Sequence, residues 1–390
     1  IADYIAEGDY EAAISSRGPG FQMMIDIYRA ITEARPSVAD PAGKRIAIMH
    51  AGALAPGMNQ LARVAVRSGI DLGYQMLTVR GGMPGLIEGN FDDAQRGVKE
   101  IFGDAAMVQE LAALHTKLSS ANSINWGRLV PQIVYYFSAY ADLLAEKKIA
   151  TGDAVNFTVP TGNFGNILAG YYAKRMGLPV GKLVCASNAN NVLTDFLRTG
   201  IYDRKREFCQ TISPSMDILV SSNLERLLYH LTEDTAQVAA WMRELAENGT
   251  YDASGLLPVL RENFWAAFTS DMMTEEEIRI VCERTSYTLD THTAVAYRVA
   301  EDYRCETGDM RPMIVLSTAS PYKFGESVLQ ALGKDTDGLD EFTLMERLHK
   351  RSGMPIPPRL AALRTAPVRH KEVCEKDGMR DAVLDFARSV

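Results

Sequence analysis

The stretch that most constrains the fold is Val155–Asn191. Val155-Asn156-Phe157-Thr158-Val159 is short, apolar and β-branched, as a strand buried on both faces must be. It runs into the turn Pro160-Thr161-Gly162-Asn163-Phe164-Gly165-Asn166. After it, Ile167, Leu168, Gly170, Tyr171, Tyr172 and Met176 recur at helical spacing, and Gly177 supplies a stop. A second strand-like run follows at Lys182-Leu183-Val184-Cys185-Ala186. This pattern predicts a βαβ unit in an α/β fold, with an open sheet covered by helices on both faces. Gly162 and Gly165 let the backbone approach a ligand, and the helix amino end offers unpaired N–H groups with partial positive charge. A phosphate suits that place. A bare GxxG also serves as a plain tight connector, so the residues alone leave both readings open.

The 390 residues are more than one core organises, so two or three domains are expected. Lys and Arg number 41 against 49 Asp and Glu, and the net charge of −8 offers no basis for a nucleic-acid or membrane partner. No apolar run is long enough to span a bilayer. The five cysteines form no CxxC pair, which reads as reduced thiols in a cytoplasmic protein. Six histidines show no HxxxH or HExxH spacing, so no metal site is expected. The start at Ile1 has neither an initiating Met nor a signal pattern and reads as a cut end.

Residues 1–40 read as helical, with Phe21, Met24, Ile25, Tyr28 and Ile31 in one stripe. Strand-like Arg45–Met49 then enters His50-Ala51-Gly52-Ala53-Leu54-Ala55-Pro56-Gly57-Met58-Asn59, followed by a helix with Leu61 and Val64. A second strand at Gly73–Val79 ends in Arg80–Gly89. This order resembles the phosphofructokinase family over about residues 43–89, matching at Gly52, Pro56, Gly57, Asn59, Arg63, Gly69, Gly73, Gly85, Leu86 and Gly89. It departs at Ala51, where that family has a glycine, and no GDG segment or aspartate-rich catalytic turn follows. The resemblance implies a partial βαβ piece without its phosphotransfer chemistry.

From Glu88 onward the resemblance changes. "GNFDDAQRGVKEIF", Ser120–Leu129, "PTGNFGN" with its flanking strands, "GLPVGKLVCASNANN", Ser213–Ile218, Ser222–Leu227, Asp290–Ala296 and Met313–Pro321 resemble the threonine synthase family over about residues 89–390. The resemblance implies the large domain of pyridoxal-phosphate (PLP) fold type II, the tryptophan synthase β-like fold, incomplete at its start. It also implies two expected domains, 1–89 and 90–390. By the resemblance, Gly162, Asn163, Phe164, Gly165 and Asn166 cradle the phosphate of PLP, and Thr318 faces its pyridine nitrogen. Ser123, Asn125, Arg128 and His292 then meet a phosphorylated amino acid, O-phosphohomoserine, which the family converts with water to threonine and phosphate.

The residues keep plainer readings alongside. Ser123 and Asn125 suit helix caps, Phe164 suits a core, and His292 suits a hydrogen-bonded helix start. Ser222 with Glu225 suits a capping box, and residues 230–285 read as a helical insertion. Lys323 in "SPYKF" either meets an anion or caps a helix. The family's lysine lies in "HGPTxxFKD", followed by "SGDTG", and neither motif occurs in these residues. The resemblance therefore implies a lyase whose cofactor is held non-covalently at best and whose activity is impaired. The alternatives are a phosphofructokinase-type phosphotransferase fragment and a non-catalytic join of two genes. An incomplete sheet further predicts self-association through an exposed strand edge.

Overall fold

In a computed structural model of the chain, the described residues are 45–49, 75–78, 100–120, 123, 125–367 and 374–389. The expected helices in 1–40 and 61–66 and the glycine-rich turns at 50–59 and 80–89 lie outside them.

Strands β1 (Arg45–Met49) and β2 (Gln75–Thr78) come from the phosphofructokinase-like segment. They share a parallel sheet, in the order β2-β1-β3, with β3 (Thr116–Ser120), which follows helix α1 (Ala105–Ala113). One sheet thus joins strands from both sides of the boundary expected at residue 89.

The central body begins with the short helix α2 (Trp126–Leu129) and with α3 (Ile133–Ala145). The predicted βαβ unit follows as β4 (Val155–Pro160), α4 (Gly165–Arg175) and β5 (Val180–Ser187). Helix α5 (Val192–Thr199) and β6 (Ile201–Asp203) come next, then α6 (Leu224–Thr232), α7 (Thr235–Asn248), β7 (Thr250–Asp252) and α8 (Leu257–Asn263). Strand β8 (Phe264–Phe268) leads through α9 (Asp271–Thr285) to α10 (Thr291–Thr307) and β9 (Met313–Val315). The remaining helices used below are α11 (Gly325–Ala331), α12 (Glu341–Ser352) and α13 (Met379–Ser389).

Four of these strands form an all-parallel sheet in the order β8-β5-β4-β9. Strand alternation divides its side chains between two dry layers. Val155, Phe157, Val159, Leu183 and Cys185 join the larger core with α3, α4 and α5. Val184 and Ala186 face the other way, onto Val295, Ala296, Val299 and Tyr303 of α10. A third layer, with Ile278, Val281, Val328, Leu329, Leu344 and Leu348, packs α9, α11 and α12 together.

Because every strand of this sheet runs the same way, all carboxyl ends lie along one edge, where open α/β sheets take ligands. Helix α13 covers α1 through Met379, Leu384 and Ala387 against Ile101, Met107 and Leu111.

Two expectations are corrected. Residues 230–285 are not purely helical, since β8 supplies an outer strand of the main sheet. Phe264 and Phe268 are four apart, which mimics a helix face, but the apolar run Phe264-Trp265-Ala266-Ala267-Phe268 pairs with Leu183–Ser187 instead. Ser222 is not the cap of α6 either: Asn223 holds that position, without a side-chain cap bond, and Ser222 reaches Asn163 Oδ1 at 3.4 Å.

Candidate functional site

The turn between β4 and α4 sits on the sheet's carboxyl edge. Thr161 anchors it, with its amide donating to Ala186 O at 2.9 Å and its hydroxyl to Val159 O at 2.7 Å. Phe164 adopts a left-handed backbone, with φ 61°, immediately before α4. Its ring is buried against Phe264 with centroids 5.8 Å apart, so its side chain belongs to the core and only its backbone remains at the turn. Helix α4 starts with no side-chain cap. Its first amides are therefore left to a ligand or to solvent.

The two glycines are required by close approach. A Cβ on Gly162 would lie 2.9 Å from Ser215 O and 3.1 Å from Met216 Cα. One on Gly165 would lie 3.0 Å from Ser123 Cβ and 3.2 Å from Ser123 Oγ. Ser123 is thus seated on the first residue of α4. Asn166 turns elsewhere, since its carbonyl and its Oδ1 both accept from Tyr136 OH, at 2.8 and 2.9 Å.

The segment before α6 clamps this turn, and sequence reasoning missed it. Ser221 Oγ donates to Gly162 O at 2.9 Å. Asn223 donates to Asn163 O from its backbone at 3.2 Å and from Nδ2 at 2.7 Å. Nδ2 also reaches Ser123 Oγ at 2.8 Å, and Arg226 donates to Ser123 O at 2.7 Å and to Asn223 Oδ1. The only local signal, Ser222 with Glu225, pointed to a capping box and not to partners on distant segments.

Of the expected substrate residues, Asn125 caps α2, accepting from Gly127 N at 3.0 Å. Arg128, on the same short helix, is buried, and burial pushes its guanidinium below its ordinary value. Among the described residues no carboxylate pairs with it, so it is a buried cation suited to a bound anion. Helix α2 packs against α4, with the Trp126 and Tyr172 rings 5.2 Å apart.

His292 is placed behind the turn. Its Nε2 accepts from Ser215 N at 3.1 Å, and its Nδ1 lies 3.3 Å from Thr291 Oγ1 and 3.5 Å from Asp290 Oδ1. An amide can only donate, so Nε2 carries no proton and the ring is the neutral Nδ1–H tautomer. With both nitrogens engaged and the ring buried, His292 holds the 213–217 loop.

That loop is also held by Asp217. Its Oδ1 accepts from Asn188 Nδ2, Asn190 Nδ2 and Thr211 Oγ1 at 2.7, 2.9 and 2.7 Å, and its Oδ2 accepts from Thr211 N at 2.9 Å. Burial outweighs these bonds and leaves the carboxyl above its ordinary value.

Thr318 is half-buried in the loop after β9, on the same edge. That loop is tied down by Leu316 N to Thr158 O at 3.0 Å and by Thr293 Oγ1 to Ser317 Oγ at 3.3 Å. Burial holds the Lys323 amine below its ordinary value, beside Asp290. The residues of the turn itself carry no group that titrates near neutrality. The turn can bind and orient an anion; it has no base of its own. Among the described residues no three His, Cys, Asp or Glu side chains gather into a metal site.

Residues 293–383 match the family model described as threonine synthase, C-terminal, and residues 45–116 match that of phosphofructokinase. Human threonine synthase-like 1 is 44% identical over 250 residues, covering 63% of this chain and 33% of its own length. The threonine synthase of Saccharomyces cerevisiae is 38% identical over 283 residues, covering 68% of this chain and 54% of its own length. The chain thus spans between a third and about half of the curated relatives it matches.

Among solved structures, threonine synthase from yeast aligns with a TM-score of 0.66 at 27% identity, covering 95% of this chain and 74% of that one. PLP-bound threonine synthase from Brucella melitensis aligns with the same TM-score, 0.66, at 31% identity, again covering 95% and 74%. The fold is accordingly the α/β fold of PLP fold type II. With 74% of a solved relative covered at that identity, the chain belongs to the threonine synthase family.

Proposed function

We propose that the turn Gly162–Asn166 is a cradle for the phosphate of pyridoxal phosphate, and that the site is built for threonine synthase chemistry on O-phosphohomoserine. One observation carries this reading: α4 begins without a side-chain cap at a glycine-bearing turn on the carboxyl edge of the parallel sheet, which leaves its first amides for an anion. The backbone of Gly162, Asn163, Phe164 and Gly165 would hold the cofactor phosphate, and Thr318 would stand by its pyridine nitrogen. A neutral hydroxyl there leaves that nitrogen less cationic than a carboxylate would. Bound pyridoxal phosphate supplies the electron sink for carbanions at the substrate carbons.

The chain's own residues bind and orient. Arg128 offers a planar fork to the substrate phosphate, and its burial strengthens that attraction. Asn125, engaged as a cap, serves by setting the start of α2 and hence the place of Arg128. In the overall reaction the γ carbon loses phosphate and gains a proton, while the β carbon loses a proton and gains the hydroxyl of water, whose other proton goes to the phosphate. No residue described at the turn is a base for those transfers.

These 390 residues hold no counterpart of the family's lysine motif, so we read the cofactor as non-covalent here and catalysis by this chain alone as impaired. The test is a titration with pyridoxal phosphate, followed by borohydride reduction and peptide mapping. Saturable binding without a lysine adduct is expected. A stoichiometric adduct at any one lysine would overturn the non-covalent reading, whether at Lys323 or at Lys174 or Lys182, whose amines burial also lowers.

A second reading has an observation of its own. The phosphofructokinase match over residues 45–116 favours a fusion of two pieces, with the junction inside the first sheet. A continuous read of the source DNA in which the join persists would support it, loss of the join would assign the first piece to another gene, and phosphoryl transfer to fructose 6-phosphate would show that the piece is a working phosphotransferase.

A further inference from the structure

Asn223 is fully buried, and each polar atom of its side chain has one possible role. Asn163 O can only accept, so the atom 2.7 Å from it must be the amide nitrogen. Arg226 can only donate, so the atom it meets must be the amide oxygen. The two neighbours therefore settle which way the carboxamide faces, without recourse to hydrogen positions.

The remaining N–H of Nδ2 then points at Ser123 Oγ, 2.8 Å away. Ser123 Oγ must accept that bond, so its own proton is turned away from Asn223. Among the described residues no group takes that proton. Ser123 meanwhile lies against Gly165, where α4 opens without a cap.

We infer that Ser123 is a ligand of the cofactor phosphate, donating its hydroxyl beside the first amides of α4. Asn223 is the positioning residue that aims it. This deepens the reading of Gly162–Asn166 as a phosphate cradle, rests on it, and moves Ser123 from the substrate's phosphate to the cofactor's. Arg226 completes the device by holding the Ser123 carbonyl at 2.7 Å, so that the backbone and the hydroxyl are oriented from one side.

The experiment compares binding of pyridoxal phosphate with binding of pyridoxal, which lacks the phosphate, in the full chain and in Ser123→Ala and Asn223→Asp. Melting curves accompany each variant. Ser123→Ala keeps the Cβ that packs on Gly165, so it is the variant expected to fold. A lost hydrogen bond to a charged group lowers pyridoxal phosphate affinity about tenfold and leaves pyridoxal affinity unchanged. Asn223→Asp is expected to lose more, because its carboxylate accepts the Ser123 proton and adds a negative charge beside the phosphate.

Equal loss for both ligands in Ser123→Ala, or no loss for either, overturns the inference while leaving the cradle intact. Loss confined to a phosphorylated amino acid, tested as O-phosphohomoserine, also overturns it and returns Ser123 to the substrate. A wild-type chain that binds pyridoxal phosphate no better than pyridoxal overturns the cradle reading itself.

Discussion

Gly162 and Phe164 show how little freedom single positions have at this turn. In Gly162→Ala the new methyl meets the backbone of Ser215 and Met216, neither of which can swing aside. The expected cost is about 1–3 kcal/mol in urea unfolding, with a matching loss of pyridoxal phosphate affinity as the 213–217 loop is pushed off the turn. Phe164→Ala instead empties a core pocket beside Phe264 and is expected to cost about 3–5 kcal/mol. Phe164 was legible as an apolar residue, but its left-handed backbone was not, because only the packing of its ring over-determines that conformation. Asn223 was less legible still. Its partners lie 60 and 100 positions away, and no local pattern announces them.

At the scale of elements, the βαβ unit could be read from the chain because an unbroken apolar, β-branched run marks a strand buried on both faces, and apolar residues at helical spacing between turn residues mark its crossover helix. β8 escaped because five apolar residues fit either period. Helix α10 carries a pH signature through its cap. Asp290 accepts from His292 N at 2.9 Å and Thr293 N at 3.2 Å, and also from Thr293 Oγ1. Burial pushes its carboxyl up, but the bonds from His292 and Thr293 outweigh that and leave it below its ordinary value.

A carboxyl lowered in the folded state stabilises fully above its unfolded value, about pH 4, and loses that contribution as pH falls through the folded one. Asp290→Asn still caps the helix but does not titrate. Its urea midpoint is expected to fall less than the wild type's between about pH 4 and pH 2. Equal acid slopes in the two proteins would remove Asp290 as the cause. Asp217 works in the opposite sense: its raised carboxyl favours the folded state in acid, and that contribution fades as pH rises through the folded value.

For the whole molecule, the cover that α13 lays over α1 combines an apolar seam with exposed ion pairs, and the two should differ in weight. Arg380 and Arg388 reach Glu110 at 3.3 and 2.9 Å from exposed positions. Glu110→Gln is therefore expected to change stability by less than about 1 kcal/mol, whereas Leu384→Ala, which opens the buried seam, should cost about 2–3 kcal/mol. Thermal melts of the two variants separate these contributions. β9, the last strand of the main sheet, is half-buried and has no further partner among the described residues. Sedimentation across a concentration series should show association if that edge recruits a second chain.

The all-parallel sheet has a kinetic consequence. β4 must find β5 and β9, and β5 must find β8, across intervening helices, so most of the ladder closes only after long loops have been ordered. The Asn223 hub closes loops of 60 and 100 residues on top of that. The turn that we propose as a phosphate cradle is thus expected among the last features a folding chain completes. Ligand binding then acts as a reporter of finished molecules. Pyridoxal phosphate added during refolding should raise the yield by mass action on the completed state, while leaving the rate of the early collapse unchanged.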